Sequence, residues 1–340
     1  MCKYTVLSGA AGAAASAASA ACGAVGASVK RLWILAAALL LLSACGGTAP
    51  GEAPPPAGQE TVSFTDDLGQ SFSIAPPRRT AALIGSFADV WCLAGGRDSL
   101  IAAAGDAWTS FDLGLHESTA NLGAVKEPHL EILLAAEPDL ILASCNTAAD
   151  LELRETFAQA GIPAAYFDVQ TFDDYLRMLE ICARLTGQPE RYEQHGASVR
   201  AQVDAAIARQ DGTAPSVLCL RATGNGCKSK GSTDNVLGEM LADLGCVNVA
   251  DGGSLLETLS MEAIIAADPD YIFAVLQGAD ASGAQAALEA ALLSNPAWSR
   301  LRAVEEGRFF TLDHRLYNLK PNARWGEAYE QLANLLYPEA

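Results

Sequence analysis

The side chains best placed in this sequence to do chemistry are those that follow short apolar, β-type runs. Such runs end as the carboxyl ends of strands, and in open α/β sheets ligands meet the loops just beyond them. Ala81–Ile84 leads into Gly85-Ser86-Phe87, Leu100–Ala104 into Asp106-Ala107-Trp108-Thr109, and Leu140–Ala143 into Ser144-Cys145-Asn146-Thr147. Arg221 closes the run begun at Val217 and opens ATGNGCKSKGST, which carries Lys228 and Lys230 and reads as a loop. Phe309–Leu312 is followed by His314, Arg315 and Tyr317, then by Lys320 and Arg324. Phe87, Trp108, Ser144, Asn146, Arg221, Lys228, Lys230, His314, Arg315, Tyr317, Lys320 and Arg324 are therefore the candidate ligand contacts. A basic group in an acidic chain suits an anionic partner, because guanidinium offers planar, bidentate donors to carboxylate-like oxygens. Phe87, Trp108 and Tyr317 would supply apolar walls. Lys228 and Lys230 read equally well as a solvated loop.

Other chemistries find less support. The string GNGCKS imitates the start of a dinucleotide fingerprint, but Ser229 stands where its third glycine belongs. No P-loop, G-x-S-x-G or H-E-x-x-H occurs, so hydrolase readings have no residues to stand on. The chain beyond Cys45 has four histidines, His116, His129, His195 and His314, too scattered for a zinc cage. Of the nine cysteines, Cys92, Cys145, Cys182, Cys219, Cys227 and Cys246 lie in or beside apolar segments with no C-x-x-C. They read as small buried hydrophobes, with a Cys219–Cys227 bridge across the loop left open. The reading expects no catalytic residue, resident metal or intrinsic cofactor.

The elements that position these residues show an internal repeat. EILLAAEPDLILA starts at Glu131 and EAIIAADPDYIFA at Glu262. Each places Pro seven residues after Glu (Pro138, Pro269), then Asp (Asp139, Asp270), then an apolar run. A short helix that Pro terminates, turning straight into a buried strand, explains both. Alternation of such strands with helical patterns implies parallel sheets covered on both faces. It divides the chain into an α/β lobe over 61–187, a connecting helix over 188–210 and a second α/β lobe over 211–340. Pro189 suits the connector's first turn, and Tyr192, Val199, Val203 and Ile207 recur at helical spacing. About 20 helical residues span roughly 30 Å, enough to run along both lobes and resist wide opening; a core helix of one larger domain is the alternative.

Charge and the amino-terminal segment bear on location. The net charge of −18 argues against nucleic acid, since nothing could neutralise a run of phosphates. Residues 1–44 hold three of the 22 basic side chains and none of the 40 acidic ones. Lys30-Arg31, the apolar stretch Leu32–Leu42 and Ser43-Ala44-Cys45 form an export signal, too short to span a bilayer, which takes about 20 residues. LSAC resembles the lipobox of bacterial lipoproteins, which implies acylation of Cys45 and an extracytoplasmic, membrane-anchored protein. Residues 45–60, rich in Gly, Pro and Ala, read as a flexible tether. Residues 1–28, mostly Ala, Gly and Ser, push the basic pair far from the chain start. The expected initiation site is therefore near Val29, with the upstream part an artefact of the gene boundary.

From Ser63 to Tyr337 the sequence resembles class III ABC transporter substrate-binding proteins, which serve ferric siderophores, haem and corrinoids. The resemblance is carried by FTDDLGQSFSIAPPRRTAAL, SFADVWCLAGGRDSLIAAAGD, LGAVKEPHLEILLAAEPDLILA, LADLGCVNVA, LSMEAIIAADPDYIFAV and LKPNARWGEAYEQLANLLYPE. It implies two Rossmann-like parallel-sheet lobes joined by a single long helix, and a monomer. It implies a small-molecule ligand held between the lobes, and docking onto an ABC permease with its ATPase. A ferric siderophore heads the ligand classes, with haem or a corrinoid as alternatives; His314, Tyr317 or Tyr166 would be the axial ligand for haem. A sensory or adhesive lipoprotein on the same fold is the other class. In the family one acidic residue per lobe pairs with permease arginines. The first maps onto Glu131; the second falls at Ala242, leaving Glu239 and Asp243 as neighbouring candidates.

Overall fold

The computed structural model describes residues 61–338 apart from Asp234, Ala279 and Asp280. The export signal, Cys45 and the tether lie outside the described residues. A hairpin comes first, β1 (Val62–Thr65) and β2 (Ser71–Ile74), antiparallel with Phe64 stacked on Phe72 at 4.8 Å. Its turn is pinned by Asp66, which accepts hydrogen bonds from the amides of Leu68 (3.1 Å), Gln70 (2.8 Å) and Tyr166 (3.1 Å).

The first lobe is a parallel five-stranded sheet made from β3 (Thr80–Ala82), β4 (Leu100–Ala103), β5 (Ala120–Asn121), β8 (Leu140–Ser144) and β9 (Ala164–Phe167). Its order is β5-β4-β3-β8-β9. Between β5 and β8 lies a small hairpin, β6 (Gly123–Ala124) with β7 (Glu127–Pro128). Every residue of β8 is buried, as an unbroken apolar run predicts for a parallel strand covered on both faces. The second lobe contains β10 (Ser216–Thr223), β11 (Gly226–Lys230), β12 (Val247–Asn248), β13 (Tyr271–Leu276) and β14 (Phe309–Leu312), ordered β11-β10-β13-β14 with β12 beside β10. All pairings there are parallel except β10 with β11.

The repeat is a structural device. The helices Leu130–Ala135 and Met261–Ala267 both give way to a non-glycine residue in the left-handed region, Glu137 (φ 45°) and Asp268 (φ 40°), just before the proline. An arginine ties down each strained corner. Arg79 donates to the carbonyls of Glu137 and Ala136, and Arg302 donates to the Asp268 carbonyl and to the carboxylates of Asp268 and Asp270. The aspartate after each proline fixes the start of the neighbouring strand. Asp139 accepts from the amides of Arg78 and Arg79 ahead of β3, and Asp270 from the amide and hydroxyl of Ser216 opening β10.

The connector runs as helix from Glu190 to Ile207, with a π-helical stretch at Glu193–Ala197. Pro189 sits at its amino-terminal cap. The closing helix Trp325–Leu336 packs along it. The largest core cluster is not confined to one lobe: it joins Phe87, Phe167 and Phe172 of the first to Trp325, Tyr329, Val217 and Phe273 of the second.

Two sequence expectations are corrected. ATGNGCKSKGST is an edge hairpin rather than a loop, with Gly224-Asn225 as a two-residue turn between β10 and β11. That pairing also removes the Cys219–Cys227 bridge. Cys219 lies opposite Lys230 and packs in the shared core, whereas Cys227 lies opposite Ala222 and packs on the other face of the sheet. Neither cysteine forms a disulfide.

Candidate functional site

The carboxyl ends of both sheets open onto a space between the lobes, and several candidate residues lie along it. On the first lobe the turn after β3 sits against the turn after β4. The Gly85 amide donates to Asp106 Oδ1 at 2.8 Å. A Cβ on Gly85 would stand 2.7 Å from the Ala107 nitrogen, so only glycine permits this approach. Trp108, on the short helix Asp106–Thr109, is 40% exposed and is the large aromatic side chain that the first lobe offers to solvent here. Asn146 is exposed beyond β8 and donates to Asp168 Oδ1 at 2.7 Å. Ser144 is buried and its hydroxyl accepts from the Asn146 amide, so it shapes the loop rather than facing a ligand.

The second lobe contributes the segment after β14. A cavity of about 330 Å³ lies between Asp89, Phe111 and Asp112 of the first lobe and Arg315, Lys320 and Arg324 of the second. A second, of about 420 Å³, shares Ser110 and Arg315 with it and reaches Gln277, His314 and Asn318. Arg324 is committed to Glu327 through two hydrogen bonds of 2.7 and 2.8 Å. Arg315 is exposed. Lys320 is half-buried, and burial pulls its pKa below the ordinary lysine value while Asp168 and Asp106 pull it back up.

Arg221, Lys228 and Lys230 group on the β10–β11 hairpin, around a separate cavity of about 600 Å³. Arg221 is directly opposite Lys228 in the ladder. Like charges so placed are unfavourable in themselves. Lysines on an edge strand also discourage pairing with another chain, so this hairpin has a structural use too.

Three aromatic expectations fail. Phe87 is fully buried, edge-on to Phe167 at 6.2 Å, and walls no cleft. Tyr317 is buried and donates to the Ala328 carbonyl at 3.0 Å. Tyr166 is buried and donates to the Asp150 carbonyl at 3.0 Å, which removes both tyrosines as axial ligands in this conformation. The cause is common to all: each fills the space where helices pack on the sheet.

Sequence reasoning missed the polar seam between the lobes. Asn322 is completely buried, with φ 53°, and its Nδ2 donates to the Ser86 carbonyl (2.9 Å) and to Asp89 Oδ2 (2.8 Å). Burial raises the Asp89 pKa and the Asn322 bond opposes that rise. Pro321-Asn322, a turn signal inside LKPNARW, was the available clue.

At the outer surface, Glu131 is exposed in the first turn of its helix, and Glu262 occupies the equivalent place in the second lobe, also exposed. Asp243 instead accepts the Tyr329 hydroxyl at 2.6 Å, and Glu239 is half-buried. Among the described residues there is no group of three or more His, Cys, Asp or Glu placed to hold a metal ion, and no helix long and apolar enough to cross a membrane.

Comparison with known proteins agrees with this architecture. The periplasmic binding protein family matches residues 81–316. The chain belongs to that family, in the two-lobed class III arrangement of ABC substrate-binding proteins, a family of solute binders rather than catalysts. Among solved structures, the periplasmic haem-binding protein RhuT from Roseiflexus sp. RS-1 is 24% identical, with a TM-score of 0.62 over 76% of this chain and 98% of its own. The petrobactin-binding protein YclQ from Bacillus subtilis is 17% identical, with a TM-score of 0.63 over 82% and 98%. The siderophore-binding protein BauB, bound to ferric iron and two acinetobactin molecules, is 18% identical, with a TM-score of 0.65 over 83% and 100%. These likenesses concern the fold. No curated protein matches the sequence.

Proposed function

We propose that this chain is an extracytoplasmic solute-binding lipoprotein, held at the membrane by a lipid on Cys45, which captures an iron complex between its lobes and delivers it to an ABC permease and its ATPase. The observation that carries the reading is the pair of adjoining interlobe cavities at the sheets' carboxyl ends, walled on the second lobe by Arg315, Lys320 and Arg324. A cationic wall with an exposed indole nearby suits an anionic, partly aromatic chelate, so a ferric siderophore is the first choice. Haem is the second, because His314 lines the larger cavity and is half-exposed. The test is a titration of the purified protein with a ferric tris-catecholate, haemin and cyanocobalamin, read by tryptophan fluorescence. Saturable quenching by the tris-catecholate supports the reading; saturation by none of the three overturns it.

Docking onto the permease is proposed to use Glu131 and Glu262. They are equivalent in the repeat and exposed, and among the described residues neither carries a side-chain bond, whereas the second-lobe candidate Asp243 already holds Tyr329. Pairs with permease arginines at these places would set orientation and on-rate.

A further inference from the structure

The segment 318–324 of the second lobe runs between two buried aromatic side chains, Tyr317 and Trp325. Among the described residues, the side-chain hydrogen bonds it makes to the first lobe are the two from Asn322. Both reach the helix Gly85–Leu93, one at the Ser86 carbonyl and one at Asp89 three residues on. Asp89 and Pro321 also line the smaller interlobe cavity, so the contact that seats the segment is part of the cavity's wall. That contact is close but incompletely matched. Asn322 is fully enclosed at φ 53°, a left-handed backbone that is costly for residues other than glycine and least so for Asn and Asp. Its Nδ2 makes two bonds, yet its Oδ1 and the Ser86 hydroxyl, both enclosed, have no partner among the described residues. Two good hydrogen bonds, one to a carboxylate, therefore stand against a strained backbone and two unmatched oxygens. Such a contact opens before the fully matched sheets on either side of it.

We infer that Asn322 is a positioning residue for the interlobe site: it latches the segment 318–324 onto the first lobe, and seating or release of that latch switches the ligand cavity between a formed and an open state. This rests on the proposed solute-binding role. Asn322 itself is enclosed and touches no ligand; it acts through the segment it seats. A ligand that bridges the cavity walls favours the seated state, and loss of the latch lowers affinity in proportion to the fraction of molecules in which the cavity is formed.

The test has two readouts on the purified protein. Hydrogen exchange of the wild type comes first. Without ligand, the amides of Leu319 and Arg324 should exchange faster than those of the strands Leu140–Ser144 and Tyr271–Leu276, and a saturating chelate should slow them. Exchange as slow as in the strands would show that the contact does not open on its own and would overturn the inference. Binding comes second, with a ferric tris-catecholate, haemin and cyanocobalamin as probes, at a temperature where every variant is folded. Asn322→Asp keeps the shape and backbone preference but sets a carboxylate against Asp89 and the Ser86 carbonyl. Asn322→Gly keeps the backbone and removes the side chain. Asp89→Asn combined with Asn322→Asp restores one donor–acceptor pair with its direction reversed. Whichever probe binds the wild type should bind Asn322→Asp at least about tenfold more weakly, as when one molecule in about ten has its latch seated. Asn322→Gly should lose several-fold, and the double variant should return to within a few-fold of the wild type. Wild-type affinity in Asn322→Asp and Asn322→Gly, with only the melting temperature lowered, would make Asn322 a packing residue and overturn the inference while leaving the solute-binding role intact. A double variant no better than Asn322→Asp would also overturn it. If Asn322→Asp does not fold, Asn322→Gly carries the comparison. Binding of no probe to the wild type counts against the solute-binding role, and exchange in the ligand-free protein then decides whether the latch opens.

Discussion

The two lobes start their central strands with the same parts and then face the space between them with opposite charge. Each has a short helix, a left-handed corner held by an arginine, a proline, and an aspartate that accepts from an amide at or just ahead of the start of the adjacent strand. At the other end of those strands the likeness stops. The first lobe brings Asp89 and Asp112 to the smaller cavity and Asp106 and Asp168 to the loops nearby; the second brings Arg315, Lys320 and Arg324. The amino-terminal ends of the strands are constrained by folding, which is the same problem twice. Under the proposed function their carboxyl ends are constrained by a ligand, which meets each lobe from a different side. Asn322, inserted against the first lobe's helix, ties the two lobes to each other.

The largest effect expected is on the seam where the lobes share a core. Trp325 is fully buried, with ring contacts to Phe172 at 5.8 Å and Tyr329 at 6.1 Å. Trp325→Ala should cost about 3–5 kcal/mol, seen as one earlier transition in urea rather than as loss of the second lobe alone. Two separate transitions in the wild type would break the picture of a shared core. Asn322→Ala should cost about 2–3 kcal/mol, because it leaves the Asp89 carboxylate enclosed without its donor. Charge reversal on the repeat comes next. Glu131→Arg and Glu262→Arg should each lower uptake about tenfold or more with melting unchanged, and Glu239→Arg much less; an effect of Glu239→Arg equal to that of Glu262→Arg would undo the equivalence of the two lobes.

A pH experiment tests the buried side of the first lobe. Asp150 is fully buried; its Oδ2 accepts the Ser144 amide at 2.8 Å while Oδ1 has no partner, and burial raises its pKa from 3.8 to about 7. The folded state thus binds a proton there that the unfolded chain has released. Its contribution to stability is present at low pH and is lost as pH rises from 3.8 to about 7. Melting temperature followed across that window should fall less steeply for Asp150→Asn than for the wild type; parallel curves would refute the assignment. The smallest effect concerns Arg324, already satisfied by Glu327. Arg324→Ala should weaken chelate binding by no more than a few-fold, less than neutralising Arg315 and Lys320 together.

Much of this architecture was legible in the sequence. The runs at Leu140, Ala164, Tyr271 and Phe309 are strands, and the Glu131 and Glu262 repeat marks equivalent corners. Periodicity exposed these because both faces of each strand are covered. The hairpin β10–β11 was missed because Gly-Asn-Gly was weighed as a phosphate loop and not as a two-residue turn. Site residues were less legible. Adjacency to a strand end placed Trp108, His314, Arg315 and Lys320 near the cleft, but could not say that Phe87 and Tyr317 turn inward, since aromatic residues serve both walls and cores. Nor could it show that Asn322 reaches across to Ser86 and Asp89, since those partners are distant in the chain.

The central claim is that an anionic metal chelate binds between unlike lobes. Equilibrium titration of the purified protein with a ferric tris-catecholate, in parallel with a variant that carries both Arg315→Met and Lys320→Met, tests it most directly. The account predicts saturable one-to-one quenching by the wild type and a loss of at least about tenfold in the variant. Binding of equal strength to both proteins would contradict it.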